Sequence, residues 1–238
     1  MTKQPPLSIH LPPRQDSQTV TQWAYQSLRN ALMVGQIPPG RALTIRGLAD
    51  LLGVSPMPVR EALRQLAAEN ALEILGNRRV MVPQMTAMKF TELCEARIAL
   101  ESHAAVRALP YVDKERLEQL RQLDLEIDRA QESGKLEQIN RLNQHFHRLL
   151  YRANPHQVTL PLIESLWLQL GPFVRLATQQ LQDHYQIDRH KEAINALERQ
   201  DSLALQLAIG SDIRDGLAFA GTPEMLSRFL NGNNQHAQ

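Results

Sequence analysis

The sequence has one cysteine in 238 residues. That excludes a fold built on disulfides and a zinc site made of several thiolates. Net charge is nearly absent too. The 26 Lys/Arg and 25 Asp/Glu leave a formal +1, so bulk charge does not mark the whole chain as a binder of polyanions. Aromatic residues make up only 5 %. Long uninterrupted apolar runs are missing: the most apolar stretch, residues 158–177, carries Glu164, Gln169, Arg175 and two prolines, which argues against a membrane span. The opening MTKQPPLSIHLPPRQD lacks the apolar core and the small-residue cleavage site of a secretory signal. A soluble cytoplasmic protein with no membrane partner is the expectation. What the chain does have is 43 % hydrophobic residues, enough to build one large domain or two modest ones.

The charge is unevenly placed. Residues 1–85 hold nine Lys/Arg and five Asp/Glu, and residues 86–238 hold seventeen and twenty. A small basic front and a mildly acidic remainder suggest two domains, with any nucleic-acid contact in front. Residues 1–16 contain four prolines and no apolar periodicity, which reads as a disordered arm. From about Ser17, Val20, Trp23, Ala24, Leu28, Ala31 and Leu32 recur at helical spacing until Gly35 and the IPPG turn at 37–40. A short helix is predicted over 45–52. Gly53 ends it, and a third helix starts with Ser55 as N-cap and Pro56 in the first turn. Short β-prone runs at 72–75 and 80–82 flank a Gly76-Asn77 bend. Helix, helix–turn–helix, hairpin is the order of a winged helix–turn–helix, here over 17–84.

The stretch PGRALTIRGLADLLGVSPMPVREALRQLAAENAL at 39–72 closely resembles the GntR family of bacterial transcription regulators, whose signature runs PG, LA, GVS, PVREAL and L in this order. The resemblance implies a DNA-binding domain that works on double-stranded operator DNA. The third helix would present Ser55, Met57 and Arg60 to base edges in the major groove. Arg46 would add a phosphate or groove contact, and Arg78 and Arg79 would lie at the wing tip. One departure concerns Pro56, where the family usually has an arginine that reads a base. Proline has no donor, so Met57 is left to offer apolar contact to a thymine methyl.

From residue 85 onward the pattern is helical throughout, over 85–109, 113–132, 135–153, 156–181, 186–199 and 201–220, with a short tail helix near 223–230. No segment alternates like a strand and no repeat period emerges. The fold class expected is therefore mainly α, a winged helix–turn–helix followed by an all-α antiparallel bundle over 85–232. ARIALE at 96–101, LNQHFHRLL at 142–150 and the stretch from His190 to Asp212 resemble the FCD effector-binding domain of the FadR-like branch. That resemblance implies a site for a divalent metal such as Zn, Ni or Mn, held by Asn143, His147, His190 and Asp212, with Asp212 standing where the branch usually has a histidine. It also implies that Arg97 and Glu101, with Arg175 as a second cation, serve a small carboxylate effector, and that the protein is a homodimer.

Plainer readings stay open beside these. A histidine on the inner face of a helix is more often hydrogen-bonded than metallated, and Arg97 and Glu101 one turn apart make an ordinary helix ion pair. Cys94 reads as a packing thiol, and Trp23 and Trp167 as core or dimer-contact residues. A metal flanked by two His and a carboxylate could activate water, but no general base stands beside it in sequence. The expectation is thus a metabolite-sensing regulator, a repressor, rather than an enzyme or a ligand-free structural dimer.

Overall fold

The computed structural model describes residues 7–75, 79–181, 189–218 and 220–222, the stretch 174–181 by its backbone alone. Contacts divide the chain into two compact units, Met1–Thr86 with Trp167–Phe173, and Ala87–Leu166 with Val174–Thr222.

In the first unit, α1 (Val20–Met33) opens on a capping box: Gln22 N–H donates to Thr19 Oγ1 while the Gln22 side chain accepts from the Thr19 N–H. Its inner face, with Ala24, Leu28, Ala31 and Leu32, packs on α3 (Pro56–Ala68) through Val59, Ala62, Leu63 and Leu66. Between them lies α2 (Ile45–Leu52), capped by Thr44, which accepts from the Gly47 N–H at 3.0 Å. Gly53 closes the turn into α3 at φ 65°, a left-handed conformation that glycine adopts without Cβ strain. Pro56 occupies the first helical position, where its missing N–H costs nothing. Ser55 stands at the N-cap, but its side chain makes no capping bond.

The hairpin β2 (Glu73–Leu75) and β3 (Arg79–Met81) gains a third strand, β1 (Leu43–Thr44), on the other side of β3, giving the order β1-β3-β2 with all pairs antiparallel. Val80 is buried at the centre, opposite Leu43 and Ile74. Two residues are too few to show an alternation, so β1 leaves no trace in the sequence pattern. The bend at Gly76-Asn77, Arg78 and the tail helix near 223–230 lie outside the described residues.

Residues 7–16 have no helix or strand, yet they are not a free arm. The Trp23 indole N–H donates to the Pro12 carbonyl at 2.8 Å, and the His10 N–H donates to Gln36 Oε1 at 3.1 Å. Proline removes periodicity and a donor, but its carbonyl still accepts. Within α1, Tyr25 donates to Glu69, which also meets Arg29.

The second unit holds α4 (Ala87–Ala108), α5 (Lys114–Glu132), α6 (Leu136–Tyr151), α8 (Arg189–Glu198) and α9 (Ser202–Leu217), with part of α7 (Leu160–Leu181). Asp113 caps α5 and Asp201 caps α9 through their carboxylates. The α4 helix packs on α9 and α6, α5 on α6 and α8, and α8 on α9. These five helices therefore enclose one interior. The start of α7 falls at 160 rather than 156 because Asn154 Oδ1 takes the His156 N–H and Gln157 Oε1 takes the Leu160 N–H, a local competition with the helix ladder. The middle of α7 belongs to the first unit: Gly171 lies so close to α1 that a Cβ there would stand 2.3 Å from the Leu32 carbonyl oxygen.

Candidate functional site

Two sets of polar residues stand out, one in each unit. In the first, Met57, Arg60 and Arg64 recur at i, i+3 and i+7 on α3 and share one exposed face. Met57 is 68 % exposed, which is unusual for a large apolar side chain on a packed helix and leaves it available for contact. Ser55 and Pro56, at the entry to α3, and Arg46, in the first turn of α2, are exposed as well. Arg79 is exposed on β3. The inward side of the same helix fills the unit's core, so packing fixes the orientation of the outward side.

The second set lies inside the bundle. The α6 helix carries Asn143, His147 and Tyr151 at successive i, i+4 positions, on one face. His147 Nε2 stands 3.0 Å from Asp212 Oδ2 of α9. His190, from α8, brings Nε2 to 3.9 Å from Asp212 Oδ1 and to 3.4 Å from the Asn143 side-chain nitrogen. Its Nδ1 faces Asp124 of α5 at 3.4 Å, and the Phe146 ring lies against it at a centroid distance of 4.3 Å. On the opposite side, His147 Nδ1 meets the Tyr151 hydroxyl at 3.0 Å. That hydroxyl is 3.0 Å from Glu101 Oε2, and Glu101 Oε1 accepts from Arg97 Nε at 2.6 Å. Arg97, Glu101, Tyr151, His147, Asp212, His190 and Asp124 thus form one continuous buried chain across α4, α6, α9, α8 and α5.

Charge is fixed along this chain. Burial lowers the Arg97 guanidinium, but the facing Glu101 more than compensates and raises it. Burial pushes the Tyr151 phenol well above its usual range, and Glu101 adds to the effect. Burial alone would raise Asp212, yet His190 and His147 hold its carboxyl down to about 2. The carboxylate is therefore ionised at neutral pH, and in a buried place an ionised acid needs a cationic or donor partner.

His147, His190 and Asp212 each offer a ligand atom, and these atoms lie within 4.8 Å of one another. Two imidazole nitrogens and a carboxylate oxygen suit Zn, Ni or Mn. The residue types and their convergence fit a divalent ion. Asn143 stands beside them, half-buried. Its amide presents nitrogen rather than oxygen to His190. Arg97 and Glu101 lie in the same interior, joined to each other rather than spread on the surface. Arg175 falls where side chains are not described.

Tyr151 and Asp124 were not singled out from the sequence. Tyr151 had a visible signal, since it continues the face of Asn143 and His147 by one more turn. Asp124 had a fainter one, as a carboxylate within the buried stripe Leu120, Leu123 and Ile127. His145, between Asn143 and His147, is exposed. Arg148 pairs with Glu164 of α7 at 2.8 Å. Burial raises the Cys94 thiol to about 11, against a lowering pull from Arg97, which leaves it a poor nucleophile at neutral pH. Trp167 is buried.

Comparison with known proteins covers both units. Residues 21–82 match the family "Bacterial regulatory proteins, gntR family", and residues 92–215 match the FCD domain. The chain is 28 % identical to the HTH-type transcriptional regulator McbR of Escherichia coli over 196 residues, covering 80 % of this chain and 88 % of that one. It is 29 % identical over 191 residues to the gluconate operon transcriptional repressor of Bacillus subtilis, covering 75 % of each. The solved structure of E. coli McbR/YncC superposes with a TM-score of 0.79 at 27 % identity, over 85 % of this chain and 97 % of that one. These relatives are transcription regulators, not enzymes. Among the described residues no helix is long and apolar enough to cross a membrane. With a winged helix–turn–helix of the gntR family in the first unit and an FCD bundle in the second, the chain belongs to the GntR family of bacterial transcription regulators.

Proposed function

We propose that this regulator is a cytoplasmic repressor that binds a near-palindromic operator as a homodimer and is controlled by a small carboxylate, held with a divalent metal inside the FCD bundle. The observation that carries the second half is the convergence of His147, His190 and Asp212 from three helices on one buried point. The metal would be held by these three, with Asn143 as a fourth donor once its amide turns to present oxygen. An ion there supplies a positive centre for an anion. Arg97, whose Nε is engaged by Glu101, keeps its two terminal amino groups for an effector carboxylate, since a guanidinium has five donors. Glu101 holds Arg97 in place, and Arg175 is the second cation of the same reading.

For the DNA half, Arg60 reads guanine O6 and N7, Met57 contacts a thymine methyl and Ser55 lies at the helix entry. Arg46, Arg78 and Arg79 contact phosphates or the neighbouring groove. Two-fold symmetry of the protein should be mirrored in the operator. Repression is the sign found in the named gluconate operon relative.

Elemental analysis of protein purified without chelator or affinity tag tests the metal. A screen of small carboxylic acids for raised melting temperature tests the effector. Light scattering should give a particle of twice the 27.0 kDa chain. A metal-free protein that takes up none of Zn, Ni or Mn on titration would end the metal reading.

A further inference from the structure

We propose that Tyr151 and Asp124 are positioning residues that keep a proton on Nδ1 of both imidazoles, so that both Nε2 lone pairs converge on Asp212. The inference rests on reading the centre as a divalent-metal site, and it assigns a task to residues outside the ligand set.

Tyr151 carries one proton and stands 3.0 Å from Glu101 Oε2 and 3.0 Å from His147 Nδ1. A carboxylate can only accept. Glu101 Oε1 accepts from Arg97 Nε at 2.6 Å in a buried ion pair. The phenol therefore donates to Glu101, and its oxygen is left to accept from His147. That places a proton on His147 Nδ1. In a neutral ring, Nε2 is then a bare lone pair, 3.0 Å from Asp212 Oδ2. Two acceptors at that distance repel unless a cation lies between them or the ring takes up a second proton.

His190 is constrained the same way from another helix. Asp124 Oδ1 lies 3.4 Å from its Nδ1, and a carboxylate there calls for a proton on the nitrogen. The Asn143 amide nitrogen approaches Nε2 at 3.4 Å, a donor meeting a lone pair, which agrees with a bare Nε2. Phe146 fixes the plane of the ring. Arg97 acts at the far end: it anchors Glu101, which orients Tyr151, which orients His147. Outer partners of this kind fix the tautomer and basicity of ligating histidines in metal sites generally.

Long-range proton–nitrogen NMR on the histidine-labelled full-length protein tests this directly, with and without added zinc. The two rings are assigned by the loss of their signals in His147→Ala and His190→Ala. A proton on Nδ1 of both rings is expected in the zinc-free protein, whether or not Nε2 is also protonated. A bare Nδ1 on either ring overturns the proposal. This readout needs no metal, so it separates failure of the proposal from failure of the metal reading. Zinc affinity by chelator competition is the second arm. Tyr151→Phe and Asp124→Asn should each weaken zinc by roughly 10–100-fold, while the zinc-free circular dichroism stays that of a folded helical protein. Unchanged affinity in both variants, in a protein that does bind zinc, also overturns it. Should Tyr151→Phe fail to fold, Asp124→Asn and the wild-type tautomers still decide.

Discussion

On α3 the outward residues Met57, Arg60 and Arg64 are exposed, and among the described residues Arg64 pairs with Glu61 of the same helix at 3.6 Å. On α6 the corresponding run, Asn143, His147 and Tyr151, is turned inward, and His147 is held at both ring nitrogens by Tyr151 and Asp212. Both runs have helical spacing, and both lie on amphipathic helices. The difference is in what the folded protein has already done with their bonding capacity. A surface that will meet DNA keeps its guanidinium groups in water until the ligand arrives. A buried centre must satisfy every polar group in the folded state, because an unmatched one costs about 1–3 kcal/mol and an unmatched charge more. Substitutions should therefore separate the two units cleanly: function without stability in the first, both together in the second.

The largest effect is expected where a buried charge loses its partner. Glu101→Ala leaves the Arg97 guanidinium buried without its carboxylate and leaves the Tyr151 hydroxyl without its acceptor. A loss of about 3–5 kcal/mol in unfolding free energy is expected, read from the midpoint of urea denaturation. The exposed counterpart, Arg60→Ala, should shift the same midpoint by less than about 0.5 kcal/mol. Equal shifts would erase the contrast between the units.

The same contrast governs what could be read before folding. The exposed residues of α3, proposed to face DNA, were legible because the motif at 39–72 places the helix and its exposed face needs no further partner. Asn143, His147, His190 and Asp212 were legible only through resemblance to a family, since they sit up to 69 residues apart in sequence and meet through tertiary packing. Asp124 and Tyr151 were not found: Tyr151 continues the helical face of Asn143 and His147, but what a buried carboxylate or phenol does depends on which helix packs opposite, and helical spacing does not carry that. The two-residue strand β1 and the tethering of residues 7–16 were missed for a related reason. Each depends on a partner supplied from elsewhere, Val80 for the strand and Trp23 and Gln36 for the tether.

Next in size is the response to a divalent ion. If the centre holds zinc, zinc at a hundredfold excess over its dissociation constant should add about 2.7 kcal/mol of stability by mass action. Thermal melts with and without zinc measure this. His147→Ala and His190→Ala should each abolish most of the gain, while Arg60→Ala should retain all of it. Uptake should also release protons, because imidazole binds a metal only through an unprotonated nitrogen.

The DNA face supplies the next prediction. Arg60→Ala should weaken binding to the cognate operator by about 1–3 kcal/mol, with relaxed discrimination at one base position. Fluorescence anisotropy against the operator and against scrambled DNA measures both. An operator affinity equal to that of the wild type would remove α3 from the role of reader.

The smallest effect should come from Arg79, exposed on β3 beside the hairpin bend. If Arg79 takes the phosphate alternative of the proposed reading, it contributes by charge and not through a base edge. Neutralising one phosphate adds about 0.9 to the slope of log affinity against log salt for duplex DNA. Arg79→Ala should accordingly weaken operator and scrambled DNA alike, and flatten that slope by about one unit per protomer. The measurement is a salt titration of anisotropy on both DNAs, run beside Arg60→Ala. A loss confined to the operator would make Arg79 a sequence reader, and the wing would then share the task assigned to α3. A uniform loss would leave base recognition on α3 and give the wing a purely electrostatic part, the least costly element of the DNA face to remove.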